Sequence, residues 1–242
     1  MKTATEKRIE FRNALKSGKI LVTPGVGDAL TAKIAEKAGI RCVIMGGYSV
    51  SASLLGQPDV GLLSCSEMVN QLTGICNAVD IPAMADGDTG YGNALNTIRT
   101  ERMFEQAGAA CIFFEDQAWP KRCGHMDGKQ VISAEEHAQK IRAAVDARLD
   151  KETVIMSRTD SRAVYGIDDA IERSKRYADA GAEICFADGI GTRSSRYSAP
   201  WAAICSLRPA RLSPSSRSNT RAVSSTSVGS TLIRRRLSGF MV

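Results

Sequence analysis

Acid, base, thiol and imidazole fall within eleven residues in the stretch Glu115-Asp116-Gln117-Ala118-Trp119-Pro120-Lys121-Arg122-Cys123-Gly124-His125. Cations beside a thiol favour its thiolate form, so Cys123, between Arg122 and Gly124-His125, can serve as a general acid or base, or as a nucleophile. Lys121 is a charge partner in the same loop or an electrophilic aid. Upstream, Asp86 and Asp88 alternate with Gly87, Gly90 and Gly92, which let the backbone pass close to a ligand. Asp86, Asp88 and Glu115 together offer three hard oxygen donors. They suit Mg²⁺ or Mn²⁺ better than Zn²⁺. Arg158 can clamp a carboxylate, the plainer reading being a salt bridge to Asp160 or Asp168. His137 sits within an amphipathic helical pattern and reads as structural.

These residues need a frame that brings separated segments together. The chain alternates short apolar runs with amphipathic ones. Strands are expected at 20–24, 40–45, 81–85, 110–114, 153–157 and 183–187. Helices are expected at 6–15, 29–38, 66–79, 93–107, 133–146 and 168–180. Asp28, Ser66 and Ser133 are the expected caps, and residues 49–64 a long loop or broken helix. Six βα units argue for a parallel α/β sheet with crossover helices. An eight-stranded barrel and an open doubly wound sheet both fit. Either puts the polar residues on one face, at the C-terminal strand ends. Pro24-Gly25-Val26-Gly27 lacks the third glycine of a dinucleotide loop, and no phosphate-loop lysine appears, which disfavours a nucleotide fold.

Composition bounds the rest. A chain of 242 residues with 43% hydrophobic content permits one full-sized domain. No run of 18 apolar residues exists and the N-terminus does not read as a secretory signal, so neither a membrane span nor export is expected. The seven cysteines are scattered singly, which points to a reducing, cytoplasmic setting. The net charge of +6 is carried by one end: residues 192–242 hold nine arginines, 13 serines and no acid, leaving a net −3 in 1–191. The body is therefore a poor candidate for binding nucleic acid. The expected division is a partial barrel over 1–190 and an atypical Arg/Ser-rich tail over 191–242, disordered or read out of frame.

Several motifs together resemble the isocitrate lyase and phosphoenolpyruvate mutase superfamily, most of all its 2-methylisocitrate lyase and dimethylmalate lyase members. They are Gly56-Gln57-Pro58-Asp59, Ala85-Asp86-Gly87-Asp88-Thr89-Gly90-Tyr91-Gly92, Glu115-Asp116-Gln117, Lys121-Arg122-Cys123-Gly124-His125 and Met156-Ser157-Arg158-Thr159-Asp160, in family order over about residues 6–190. The cysteine run belongs to the carbon–carbon lyase branch. The resemblance implies a (β/α)8 barrel of TIM type, here incomplete after the sixth strand, usually tetrameric and with Mg²⁺ at its C-terminal face. It implies metal-shell roles for Asp86, Asp88 and Glu115, with Asp59 beside them. Gly46, Gly47, Tyr48, Arg122, Arg158 and Asp188 are implied for substrate, and Cys123, Lys121, His125 and Arg158 for catalysis. Cys123 would protonate a carbanion-like product. The implied reaction is retro-aldol cleavage of a 2-hydroxy di- or tricarboxylate to a 2-oxo acid. Two features depart from the lyases: Gly46-Gly47-Tyr48 where Ser-Gly-Gly is usual, which leans toward dimethylmalate lyase or oxaloacetate hydrolase relatives, and Asp188, one methylene shorter, where a glutamate is usual. The remaining alternatives are a phosphonate mutase, an inactive truncated member, and an anion-binding protein acting through the basic tail.

Overall fold

The structure, a computed structural model, describes residues 1–188. The expected tail, and the expectation that the barrel is incomplete after the sixth strand, concern residues outside the described ones. Within them, six strands form one all-parallel sheet in the order β1-β2-β3-β4-β5-β6. The strands are β1 (Gly25–Val26), β2 (Val43–Met45), β3 (Ala83–Asp86), β4 (Cys111–Glu115), β5 (Val154–Thr159) and β6 (Ile184–Ala187). The helices are α1 (Ala4–Lys16), α2 (Ala29–Lys37), α3 (Gly47–Leu55), α4 (Cys65–Ala78), α5 (Ala94–Gln106), α6 (Ala134–Ala147), α7 (Ser161–Tyr165) and α8 (Ile167–Asp179).

Sequential strand order decides between the two architectures. A doubly wound sheet reverses direction partway, placing helices on both faces. Right-handed crossovers that never reverse place them all on one. The two core clusters agree. One joins Val43, Met45, Ala85, Ile112, Phe114 and Ile155 to Ala32, Met68, Leu72, Ile75, Phe104, Ile141 and Tyr177 of the crossover helices. The other is made of the alternate strand residues Met84, Cys111, Phe113, Val154, Met156, Ile184 and Phe186, and Phe11 of α1 packs into it. Crossover helices thus cover one face, and the N-terminal helix closes the other at the N-terminal ends of the strands. This is the plan of a (β/α) barrel, seen through its sixth strand.

The elements differ from the sequence reading in instructive places. The first strand is Gly25–Val26, beyond the apolar run at 20–24. Ile20 and Val22 are largely exposed, and pairing begins with the Pro24 carbonyl, which accepts from Ile44 N–H at 3.1 Å. Ser64 caps α4, instead of Ser66: its Oγ accepts from Glu67 N–H, and the Glu67 carboxylate accepts from Ser64 N–H at 2.7 Å. The stretch expected as a long loop or broken helix over 49–64 opens inside α3, which starts two residues after β2 and is capped by Gly56 in the left-handed region. Arg158 and Thr159 belong to β5 itself, and the short α7 follows where no helix was expected. Asp28, Asn93 and Ser133 cap α2, α5 and α6.

Candidate active site

The C-terminal ends of β3, β4, β5 and β6 bring Asp86, Glu115, Arg158 and Asp188 together. Glu115 and Arg158 are register partners on adjacent strands. Their charges meet with Arg158 Nη1 3.5 Å from Glu115 Oε2. The guanidinium also donates twice to Asp160, at 3.0 Å each, and to Asp188 Oδ2 at 2.7 Å. The plainer reading of Arg158, a salt bridge to Asp160, is present, and the guanidinium also faces the cluster. Asp86 accepts from Gly47 N–H and from Asp88 N–H, each at 3.0 Å. Asp88 and Tyr91 take the left-handed conformation, with φ of 48° and 57°, which costs non-glycine residues energy. Tyr91 donates its hydroxyl to Asp88 Oδ2 at 2.7 Å.

The loop at 118–130 folds in over these strand ends. Its base is a short antiparallel bridge: Ala118 N–H donates to Gln130 at 2.8 Å and Ile132 N–H to Asp116 at 2.9 Å. Lys121 is buried, with Nζ 2.6 Å from Asp59 Oδ1 and 2.6 Å from Asp88 Oδ1. The Asp88 contact is one of charge, without hydrogen-bond alignment. The Gln117 side chain brackets Arg122 through its main chain, while the Arg122 side chain stays exposed. Cys123 N–H donates to the Asp59 carbonyl at 2.9 Å, and its half-buried Sγ lies 3.6 Å from Nδ1 of the exposed His125. At Gly124 a Cβ would collide with Asp188 and the Arg158 guanidinium, so the loop backbone rests against them. Tyr48 stands apart: it is exposed on the first turn of α3, whereas Gly46 caps that helix and Gly47 reaches Asp86.

Burial, then the neighbouring Asp88, pushes the Asp86 carboxyl up to about 6 against the pull of Lys121 and Arg158. Burial likewise holds Glu115 well above the usual carboxylate range, although Arg158 and Lys121 oppose it. Asp160 is drawn below its ordinary value by Arg158 despite burial. Burial works against the Lys121 ammonium, but Asp88, Asp86, Glu115 and Asp59 keep it protonated.

Six carboxylates (Asp59, Asp86, Asp88, Glu115, Asp160, Asp188) here face three cations (Lys121, Lys129, Arg158). The excess negative charge, and Glu115 Oε1, which is buried without a hydrogen-bond partner among the described residues, suit a hard divalent cation. The donor chemistry therefore fits Mg²⁺ or Mn²⁺. Among the described residues, however, no three His, Cys, Asp or Glu side chains are gathered as a ready-made metal cluster. The ammonium of Lys121 lies between Asp59 and Asp88.

The sequence reading did not single out Lys129 or the role of Asp116. Buried Asp116 accepts from Asp160 N–H, Thr159 Oγ1, Tyr177 Oη and Arg173 Nη1, and so fixes the end of β5. Its position beside Glu115 at a strand end was the available signal. His137, read as structural, is buried with Nε2 3.0 Å from Ser157 Oγ and its ring edge-on to Tyr177. Among the described residues no helix is long and apolar enough to cross a membrane.

Comparison with known proteins agrees with this fold. The family model described as phosphoenolpyruvate phosphomutase matches residues 11–240, further along the chain than the motifs reach. A 2,3-dimethylmalate lyase from Eubacterium barkeri is 50% identical over 177 residues, covering 73% of this chain and 61% of that protein. The chain thus spans about three fifths of that relative's length. Oxaloacetate acetylhydrolase in complex with 3,3-difluorooxalacetate superposes with a TM-score of 0.75 at 34% identity, covering 78% of this chain and 65% of that one. Phosphonopyruvate hydrolase in complex with oxalate and Mg²⁺ gives 0.70 at 33% identity, covering 78% and 64%.

Proposed function

The chain belongs to the phosphoenolpyruvate phosphomutase family of the isocitrate lyase superfamily, and on that footing we propose that it is a carbon–carbon lyase. Its proposed substrate is a 2-hydroxy di- or tricarboxylate of the 2,3-dimethylmalate or 2-methylisocitrate type. The observation that carries this reading is the placement of Lys121-Arg122-Cys123-Gly124-His125. The run folds over Arg158 and Asp188 with the Cys123 thiol half-buried beside His125.

In the proposed reaction Arg158 holds a substrate carboxylate, oriented by Asp160 and Asp188. Gly46 and Gly47 supply the opposite wall, and the exposed Tyr48 and Arg122 the mouth. The hydroxyl proton passes to a carboxylate of the acidic cluster. The adjacent carbon–carbon bond breaks, leaving a 2-oxo acid and an enediolate. Cys123 then gives its S–H proton to the enediolate carbon and is left as thiolate. His125, within reach of Sγ, and Lys121 tune the charge around that transfer. The closed loop excludes water, which would otherwise quench the enediolate. Asp86, Asp88 and Glu115, with Asp59 beside them and water between, would hold Mg²⁺ or Mn²⁺, which when bound polarises the hydroxyl oxygen and stabilises the oxyanion. A homotetramer is the proposed assembly.

Oxaloacetate hydrolysis is the second reading, favoured by the structural likeness to oxaloacetate acetylhydrolase. The two are separated by assaying 2-oxo acid release from 2,3-dimethylmalate and 2-methylisocitrate beside oxaloacetate hydrolysis, with Mg²⁺ supplied. Cys123→Ser is expected to cut lyase turnover by about 10³-fold, at the upper part of the range for a positioned general acid. Unchanged turnover in that variant would reject the proton-donor role.

A further inference from the structure

We propose that Lys129 is a positioning residue that holds the Cys123–Gly124 segment against Arg158 by joining the Gly124 carbonyl to Asp160. The inference rests on the reading of Cys123 as proton donor, because that is the group whose place it fixes.

Lys129 lies in the loop, yet its side chain is only 5% exposed. Burying a lysine costs desolvation and rotamer freedom unless its ammonium is paired. Here it is paired on two sides. Nζ donates to the Gly124 carbonyl and lies 3.3 Å from Asp160 Oδ1. Asp160 is itself immobilised: its N–H donates to Asp116 at 2.9 Å, and both its carboxylate oxygens accept from Arg158. One fully buried carboxylate therefore serves the guanidinium and the ammonium together. Gly124 has no space for a side chain because Asp188 and Arg158 occupy it. The loop backbone is thus pressed onto the guanidinium from one side and pinned through its carbonyl from the other. Lys121 clamps the loop further up, to Asp59 and Asp88. Without the Lys129 link, the Gly124 carbonyl loses this donor and the segment carrying Cys123 is free to lift. Lys129 need not touch the reacting atoms for this.

The test compares the full-length chain with its Lys129→Met and Lys129→Arg variants. The readout is the rate of Cys123 alkylation by iodoacetamide, followed by peptide mass spectrometry, with the half-buried Cys65 of α4 as internal reference. Losing a charge-assisted hydrogen bond should speed Cys123 labelling by about tenfold or more in Lys129→Met. Cys65 should be unchanged, and Lys129→Arg should stay near the wild-type rate. Labelling of Cys123 at the wild-type rate in folded Lys129→Met overturns the proposal. So does an equal acceleration at Cys65, which would mark general loosening. Should the Met variant not fold, Lys129→Gln carries the same expectation. Where the wild-type chain turns over a hydroxy acid, Lys129→Met should lower kcat more than it raises KM, and Lys129→Arg should restore it. A wild-type chain without turnover counts against the lyase reading alone; the labelling rates still decide the place of Lys129.

Discussion

Single side chains carry both the chemistry and its cost. Glu101, inside α5, is fully buried, and neither carboxylate oxygen has a hydrogen-bond partner among the described residues. Burial, then the nearby Glu105, pushes its carboxyl from 4.5 up to about 8. The folded chain therefore holds a proton that the unfolded chain releases. Its contribution is intact below pH 4.5 and is lost as pH rises through about 8. Glu101→Met, similar in volume and free of the charge, should raise stability at pH 8 by about 1–3 kcal/mol and flatten the alkaline decline. Urea unfolding at pH 5 and pH 8 measures both. Much of the candidate site was legible because its residues carry charge or a thiol on glycine-rich segments after apolar runs: Asp86, Asp88, Glu115, Cys123 and Arg158 all stand out that way. Lys129 and Asp116 did not. A lysine beyond a turn reads as a solvated charge, and an aspartate beside a stronger candidate reads as its neighbour. Only the fold turns both inward.

At the scale of elements, caps decide where helices begin. Ser64 and Glu67 form a reciprocal pair at the start of α4. Ser64→Ala should cost about 1 kcal/mol, and Ser66→Ala, exposed within the first turn, less than about 0.5 kcal/mol; thermal melts of the two variants compare them. The Ser-x-x-Glu spacing was present in the sequence, but an adjacent serine offered a competing start. Helices with a clear cap and apolar stripe, such as α2, α5 and α6, fell within a residue or two of expectation. Strand limits were less legible. The run at 20–24 has the composition of a strand yet makes no ladder among the described residues, since pairing with β2 depends on what β2 presents rather than on local apolarity. At β5 the ladder continues through Arg158 and Thr159 because Glu115 and Phe186 run beside Arg158 and Ala187 beside Thr159. The strand order that separated a barrel plan from a doubly wound sheet is a property of pairing between segments, and no single segment encodes it.

For the molecule as a whole, the N-terminal helix is a keystone at the end of the sheet opposite the site. Phe11 is 1% exposed inside the second core cluster. Phe11→Ala should cost about 3–5 kcal/mol in denaturant unfolding, whereas Ile9→Ala, at an exposed position of α1, should cost less than about 0.5 kcal/mol. Around Phe11, Lys7 donates to the carbonyls of Cys76 and Val79, and Arg8 to those of Ala109 and Glu105. Arg12 reaches the Glu183 carboxylate across 171 positions of sequence. That span has a consequence during synthesis. The first helix leaves the ribosome early, but its last partner is made only after those residues have been added, roughly 9–34 s later at 5–20 residues per second. Through that interval Phe11 has no finished core to enter. The nascent chain carries an unburied aromatic on a basic helix, the exposed apolar surface that makes such intermediates prone to aggregate until β6 arrives.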